Sequence, residues 1–375
     1  MLTENTHFGP RRIGEWMKEA KSVFFIGIGG INMSSLAHLT HVASYRTGGS
    51  DRTESELTRR LENEGIEIKY RHDAENIAGY DVIVYTVAIP PENPEYAAAA
   101  AAELPLISRA DYLGYLMTGY KNRIGISGMH GKSTCTTMCA QVFMEAGADP
   151  TVMSGAEMTS MNGAYRIGGT ENFIFEACEY MDSFLDFNPN IAVVLNIEPE
   201  HLDYFSGIEQ IKDSFVKFAR IAAPQGFLVA NADDEKVREV VSRARMNTIT
   251  FGIHSPDAVF RAANIVRENG FCSFDLMKYD TFFCRASLSV PGVHNVYNAL
   301  AAAAVADLCG IGADKIAAGL QAFTGAKRRL ERVGIMKGAV IFSDYAHHPT
   351  EIRASLESLA NMGTGGELIC VFQPH

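Results

Sequence analysis

Residues Gly128-Met129-His130-Gly131-Lys132-Ser133-Thr134 hold the pattern richest in chemistry. A strand-like run, Arg123 to Ser127, leads in, and a helix-like run, Cys135 to Ala146, leads out. A glycine turn in that setting aims backbone N–H groups and the positive end of a helix at an anion. Lys132 adds a point charge, and the Ser133 hydroxyl is of the type that holds Mg²⁺ there. These are the parts of a nucleoside triphosphate cradle, formed by Gly128, Met129, His130, Gly131, Lys132, Ser133 and Thr134. The general phosphate-loop spacing asks for glycine at position 126, where Ile126 stands, so this is a compact Gly-x-x-Gly-Lys-Ser variant. The bland alternative, a turn that binds nothing, fits the strand–loop–helix context poorly.

Further candidates follow strand-like runs. Glu176 and Glu179 come after Phe173-Ile174-Phe175. A carboxylate at the carboxyl end of a parallel strand faces the ligand crevice, where Mg²⁺ or Mn²⁺ needs hard oxygen donors. Glu176 is the expected ligand; Glu179 reads as a second candidate or as a solvated loop charge. His201 sits among acids in Asn196 to Asp203 and suits a second cation, the γ-phosphate, or a capping role. Asp203 reads as a helix cap or hydrogen-bond partner. Asn295 and Asn298 open a helix; Asn295 either caps it or joins Asn298 in offering side-chain amides to an adenine edge. The run Lys327 to Arg332 is basic, and Asp344-Tyr345-Ala346-His347-His348-Pro349 ends a strand with groups suited to binding or proton handling. Near the start, Gly27-Ile28-Gly29-Gly30-Ile31-Asn32 approaches a dinucleotide fingerprint and fails it at Asn32, with Asp51 where a ribose ligand would belong.

The elements that must position these groups alternate strand and helix. Residues 20–120 read as a Rossmann-like parallel sheet. A second alternating unit has strands at 123–127, 173–175, 191–195, 227–230 and 248–252, then an antiparallel excursion over 260–290. A third begins near Thr324 with strands at 340–342 and 367–372. The expected domains are therefore 1–120, 121–324 and 325–375. The last strand has no crossover helix after it, so the third domain reads as incomplete. Hydrophobic content of 47% with 21% charged residues describes a soluble globular protein, and the alternation of strand and helix makes its class α/β. No apolar run is long enough for a membrane span. A net charge of −11 argues against nucleic acid as a partner. Seven scattered cysteines suit a reducing, cytoplasmic setting.

Taken in order, these motifs resemble the Mur ligase family of bacterial peptidoglycan precursor synthesis. The resemblance rests on Gly27 to Gly30, Gly49-Ser50-Asp51, Arg71 to Asn76, Asn93-Pro94-Glu95, the phosphate loop, Glu176 to Tyr180, Glu200 to Tyr204, Pro291 to Asn295, Arg328 to Glu331 and Asp344 to Pro349. It spans essentially the whole chain. It implies three domains: Rossmann-like and UDP-substrate-binding, ATP-binding, and a C-terminal domain that closes over the site. The branch it looks most like joins L-alanine to UDP-N-acetylmuramate through an acyl phosphate, using ATP. A branch joining a preformed tripeptide is the alternative, and a nicotinamide oxidoreductase the alternative of another class. The resemblance implies these roles: Lys132 on the transferring phosphoryl group; Ser133, Glu176 and His201 on metal; Asn295 and Asn298 on adenosine; Arg329 and Asp344 on the nucleotide after closure; His347 and His348 on the amino-acid side; Gly29, Gly30, Asp51 and His72 on the UDP moiety. A monomer or weak homodimer is expected. The chain departs from the family at Met129 and Ser133, which replace threonines, and at Val216, where many relatives carry a modified lysine. Relatives continue past His375, so weak or absent ligation is expected of this chain alone.

Overall fold

The structure, a computed structural model, describes residues 3–222, 225–363 and 365–373. Contacts divide the chain into two units, Met1–Gly119 with Asp182–Asn188, and Tyr120–Met181 with Pro189–His375.

In the first unit, β1 (Ser22–Ile26), β2 (Arg46–Ser50), β3 (Glu67–Lys69), β4 (Val82–Tyr85) and β5 (Leu106–Ser108) alternate with helices. These are α1 (Gly9–Glu19), which precedes β1, α2 (Ile31–Val42), α3 (Glu56–Asn63), α4 (Pro94–Ala101) and α5 (Arg109–Leu116). The sheet order is β3-β2-β1-β4-β5, parallel throughout. Every residue of β1, Ser-Val-Phe-Phe-Ile, is buried, which is why the run is apolar without alternation. The order reverses between β1 and β4. The glycine loop therefore leaves β1 at a topological switch point, where open sheets bind ligands.

In the second unit, β6 (Asn122–Ser127) feeds α6 (Lys132–Glu145). There follow β7 (Thr151–Met158), β8 (Gly163–Arg166), β9 (Asn172–Glu176), β10 (Ile191–Val194), α7 (Ile208–Ile221), β11 (Phe227–Asn231), α8 (Glu235–Ala244) and β12 (Thr248–Gly252). Then come β13 (Phe260–Glu268), β14 (Phe271–Lys278), β15 (Thr281–Pro291), α9 (His294–Leu308) and α10 (Ala313–Ala322). Last are β16 (Glu331–Met336), β17 (Ala339–Ser343) and α11 (Pro349–Ala360). Ten strands form one sheet in the order β15-β14-β13-β12-β11-β10-β6-β9-β7-β8. The run β7 to β13 across its middle is parallel, and its flanks are antiparallel. Strand β6 lies between β10 and β9, so the phosphate loop, Glu176 and the Asn196–His201 turn all leave neighbouring strands at the same edge.

Ile126, at the place of the missing glycine, is fully buried in β6. Glycine is needed one residue earlier: a Cβ on Gly125 would lie 2.8 Å from the Phe175 ring. Leu300 to Ala306 of α9 are buried all round, and the alanines let it pack closely on α6 and on strands β11 to β13.

Several expectations are corrected. Asn295 does not cap α9; the helix starts at His294, with Val293 in the cap position. Strands β7, β8 and β16 were not expected. Residues 367–372 form no strand; Ile369 and Val371 are exposed and, among the described residues, no neighbouring strand pairs with them. An apolar run becomes a strand only where another backbone supplies hydrogen bonds.

Candidate active site

The phosphate loop closes around the ammonium of Lys132. Gly128 and Gly131 adopt φ of +143° and +80°, the left-handed region that favours glycine. A Cβ on Gly131 would also lie 2.9 Å from Asn298 Oδ1. Gly131 stands at the cap of α6, so the helix N-terminus opens onto the loop. Lys132 Nζ donates to the carbonyls of Gly128 (2.6 Å) and Met129 (3.2 Å) and to both oxygens of Glu179 (3.1 and 3.0 Å). Glu179 is completely buried, so it is no solvated charge. Burial pushes its pKa up, but Lys132 and a hydrogen bond from His201 outweigh that and hold it below the usual carboxylate value.

His201 Nε2 is 3.3 Å from Glu179 Oε1. The backbone at His201 has φ +52°, uncommon away from glycine, which turns the ring back over the loop's acids. Its bond to Glu179 raises its pKa against the effect of burial. Glu179, Glu200 and His201 place ligand-type atoms within 4.8 Å of one another, and Glu200 Oε2 is buried without a hydrogen-bond partner. A divalent cation fits this oxygen-rich set. Glu176 is not in it: its carboxylate accepts from Gly155 N at 2.9 Å. Asp203 accepts from the Tyr180 hydroxyl (3.0 Å), the hydrogen-bond role foreseen for it.

A cavity of about 730 Å³ adjoins the loop, lined by Gly131, Ser133, Asn295, Asn298, Arg329 and Asp344 among others. Asn298 Nδ2 donates to Asn295 Oδ1 (3.0 Å), and Asn295 Nδ2 to Pro291 O (2.7 Å). The amide pair is thus fixed in orientation, with part of its hydrogen-bonding capacity already used. Arg329 reaches the loop directly, donating to Ser133 Oγ at 3.2 Å, and stacks near Tyr345. Asp344 is held by Ser355 and by Ala346 N. Met129 is buried; its N–H donates to Asn196 O. Thr134 lies in the first turn of α6, where its carbonyl accepts from Thr137.

Two of the residues singled out in sequence, His130 and His347, meet the rim through Asn196, Glu198, Glu200 and Glu351, to which sequence alone gave no role. Asn196 pins His130, accepting from its N–H (2.9 Å) and donating to its carbonyl (3.0 Å). His130 lies between Glu198 (3.3 Å) and Glu351 (3.4 Å), and His347 lies near Glu200 (3.6 Å) and Glu351 (3.7 Å). Glu351 resembles any acid in a first helical turn, so only its packing reveals it.

In the first unit, Asp51 Oδ2 accepts from Gly29 N (2.8 Å) and Oδ1 from Arg52 N (2.7 Å), which buttresses the glycine loop. Gly30 caps α2. His72 Nδ1 meets the fully buried Glu95 at 2.6 Å and Ser50 Oγ at 3.1 Å.

Comparison with known proteins bears on this geometry. Family descriptions match in three consecutive stretches: "Mur ligase family, catalytic domain" over 22–121, "Mur ligase middle domain" over 126–306, and "Mur ligase, glutamate ligase domain" over 328–375. The chain belongs to the Mur ligase family. It is 44% identical over 356 residues to the UDP-N-acetylmuramate–L-alanine ligase of Clostridium perfringens, covering 95% of this chain and 77% of that one. With the enzyme of the same name from Caldicellulosiruptor saccharolyticus it is 46% identical, covering 94% and 77%. The crystal structure of the UDP-N-acetylmuramate-alanine ligase of Thermotoga maritima superposes with a TM-score of 0.78 at 28% identity, covering 91% of this chain and 78% of that one. This Mur ligase has no helix, among the described residues, long and apolar enough to cross a membrane.

Proposed function

We propose that this Mur ligase joins L-alanine to UDP-N-acetylmuramate at the expense of ATP, in the cytoplasm. The observation that carries the reading is the meeting of Lys132, Glu179 and His201, with Arg329 on Ser133, beside the cavity lined by Asn295 and Asn298. It is supported by 44–46% identity to ligases of that name.

In this reading the lactyl carboxylate attacks the γ-phosphate, and an acyl phosphate and ADP form. The alanine amine then attacks the acyl carbon, and phosphate leaves. Lys132, freed from Glu179, neutralises charge on the phosphoryl group in transfer. Arg329 adds a second positive charge from the last segment. Ser133, Glu176 and His201, with Glu179 and Glu200 adjacent, hold divalent cations, which supply charge neutralisation and orientation to the phosphates when bound. Asn295 and Asn298 receive adenosine, and Asp344 the nucleotide. His347 and His348 serve the amino-acid side. Gly29, Gly30, Asp51 and His72 serve the UDP moiety. Phosphate release with ATP, Mg²⁺ and UDP-N-acetylmuramate, with each acceptor added in turn, tests the reading. Release that needs L-alanine supports it, and release only with the tripeptide refutes it.

A further inference from the structure

A second group of ligand-type atoms converges where the phosphate loop meets the start of α11. One ring nitrogen each of His130 and His348 and one oxygen of Glu198 lie within 4.8 Å of one another. His130 Nε2 is 3.3 Å, and His348 Nδ1 3.6 Å, from the same atom, Glu198 Oε2. The edge of a tetrahedron around Zn²⁺, with ligands at roughly 2.0–2.1 Å, is about 3.3 Å. The two imidazoles stand side by side, centroids 4.6 Å apart and planes 32° apart.

The surrounding contacts are those a metal site uses. A ligating imidazole commonly gives its other N–H to a carboxylate, which fixes its tautomer and orientation. His130 Nδ1 lies 3.4 Å from Glu351 Oε1, buried and without a formed hydrogen bond. The Thr350 hydroxyl donates to Glu198 Oε2 at 2.8 Å and orients that carboxylate. His348 Nδ1 accepts a long contact, 3.3 Å, from Thr350 N–H. That contact uses the nitrogen's single in-plane lone pair, and coordination would exchange it for a metal bond beside Glu198 Oε2, 3.6 Å away. All three ligand side chains are partly exposed, so solvent ions can reach them.

Two imidazoles and a carboxylate form a borderline set that Mg²⁺ and Ca²⁺ do not favour. We propose that His130, Glu198 and His348 form a binding site for a divalent transition metal of the Zn²⁺ class, distinct from the cations assigned above to Ser133, Glu176 and His201. Three protein ligands leave a fourth position for water or an anion. An ion held there ties α11 to the phosphate loop.

Zn²⁺ titration against a chromophoric chelator, on the whole 375-residue chain without nucleotide, tests this. A Cys370→Ser background removes the exposed thiol. One saturable site is expected. It is lost in His348→Ala and in Glu198→Gln, weakened about tenfold in Glu351→Gln, and kept in His201→Ala. Circular dichroism confirms that each variant is folded. Substituted Co²⁺ should show tetrahedral visible bands without thiolate charge transfer. No saturable site in the parent chain, or a site that survives both His348→Ala and Glu198→Gln, or one abolished only by His201→Ala, overturns the proposal.

Discussion

Glu179 sets the electrostatics of the phosphate loop, and sequence left its place open between metal ligand and solvated charge. Its neighbours on the chain, Cys178 and Tyr180, say nothing about depth. It is buried in the segment after β9, where Lys132 and His201 make that burial tolerable. Lys132, Ser133 and the two loop glycines were legible, because their chemistry is written in local spacing. Removing one partner of a buried pair leaves the other uncompensated. Glu179→Gln should therefore lower unfolding stability by about 3 kcal/mol in a urea titration. The depressed pKa of Glu179 adds a signature. Its contribution is present above the ordinary carboxylate pKa, about 4.3, and is lost as pH falls below it. The Gln variant should lose that acid-limb slope, and an unchanged slope would contradict the pairing. Lys132→Ala should reduce turnover about a thousandfold in the phosphate-release assay.

At the scale of elements, the parallel strands were legible because buried strands read as continuous apolar runs. The central run from β9 through β12 lay within a residue or two of expectation. Strands β7 and β8 were missed. Thr151 to Met158 mixes Ser, Gly and Glu with its apolar residues, and it becomes a strand by pairing with β9 and β8. The reverse error came at 367–372, apolar enough for a strand but without a partner. The docking of α11 was also invisible, since it depends on Glu351 meeting His130 across 221 residues of sequence. That contact should show in pH dependence. The pKa of Glu351 falls to about 2; burial pushes it up, but His130 and the His347 N–H outweigh this. Burial lowers the pKa of His130, but Glu351 and Glu198 raise it more. Glu351 stabilises the contact above about pH 4.3 and stops as pH falls towards 2. His130 stabilises it below about pH 6.5 and stops as pH rises through its raised value. Hydrogen exchange of the α11 amides, corrected for intrinsic rates and run with a chelator present, should be slowest between those limits. Equal protection at pH 5.5 and pH 9 would contradict it.

At the scale of the whole molecule, motif order named the family more securely than any one motif, since each alone had a bland reading. The boundaries of compact units were less legible. Residues 182–188 carry no motif, yet they belong with the first unit, where Phe184 is buried and Asp186 accepts from His7. Burial pushes the pKa of Asp186 up to about 6, against the pull of His7. A carboxyl that binds its proton more tightly when folded favours the fold at low pH. Its contribution falls as pH rises from about 4 to 6 and is level above. Asp186→Asn should flatten that interval in a thermal-melt series, and an unaltered profile would contradict the assignment.

The most direct test of the proposed activity is phosphate release by this protein with ATP, Mg²⁺ and UDP-N-acetylmuramate, as acceptors are exchanged. L-alanine should drive release well above glycine, L-serine or the tripeptide, and Lys132→Ala should lower it about a thousandfold. Release driven only by the tripeptide, or reduction of a keto substrate by NADH in place of any release, would contradict the assignment.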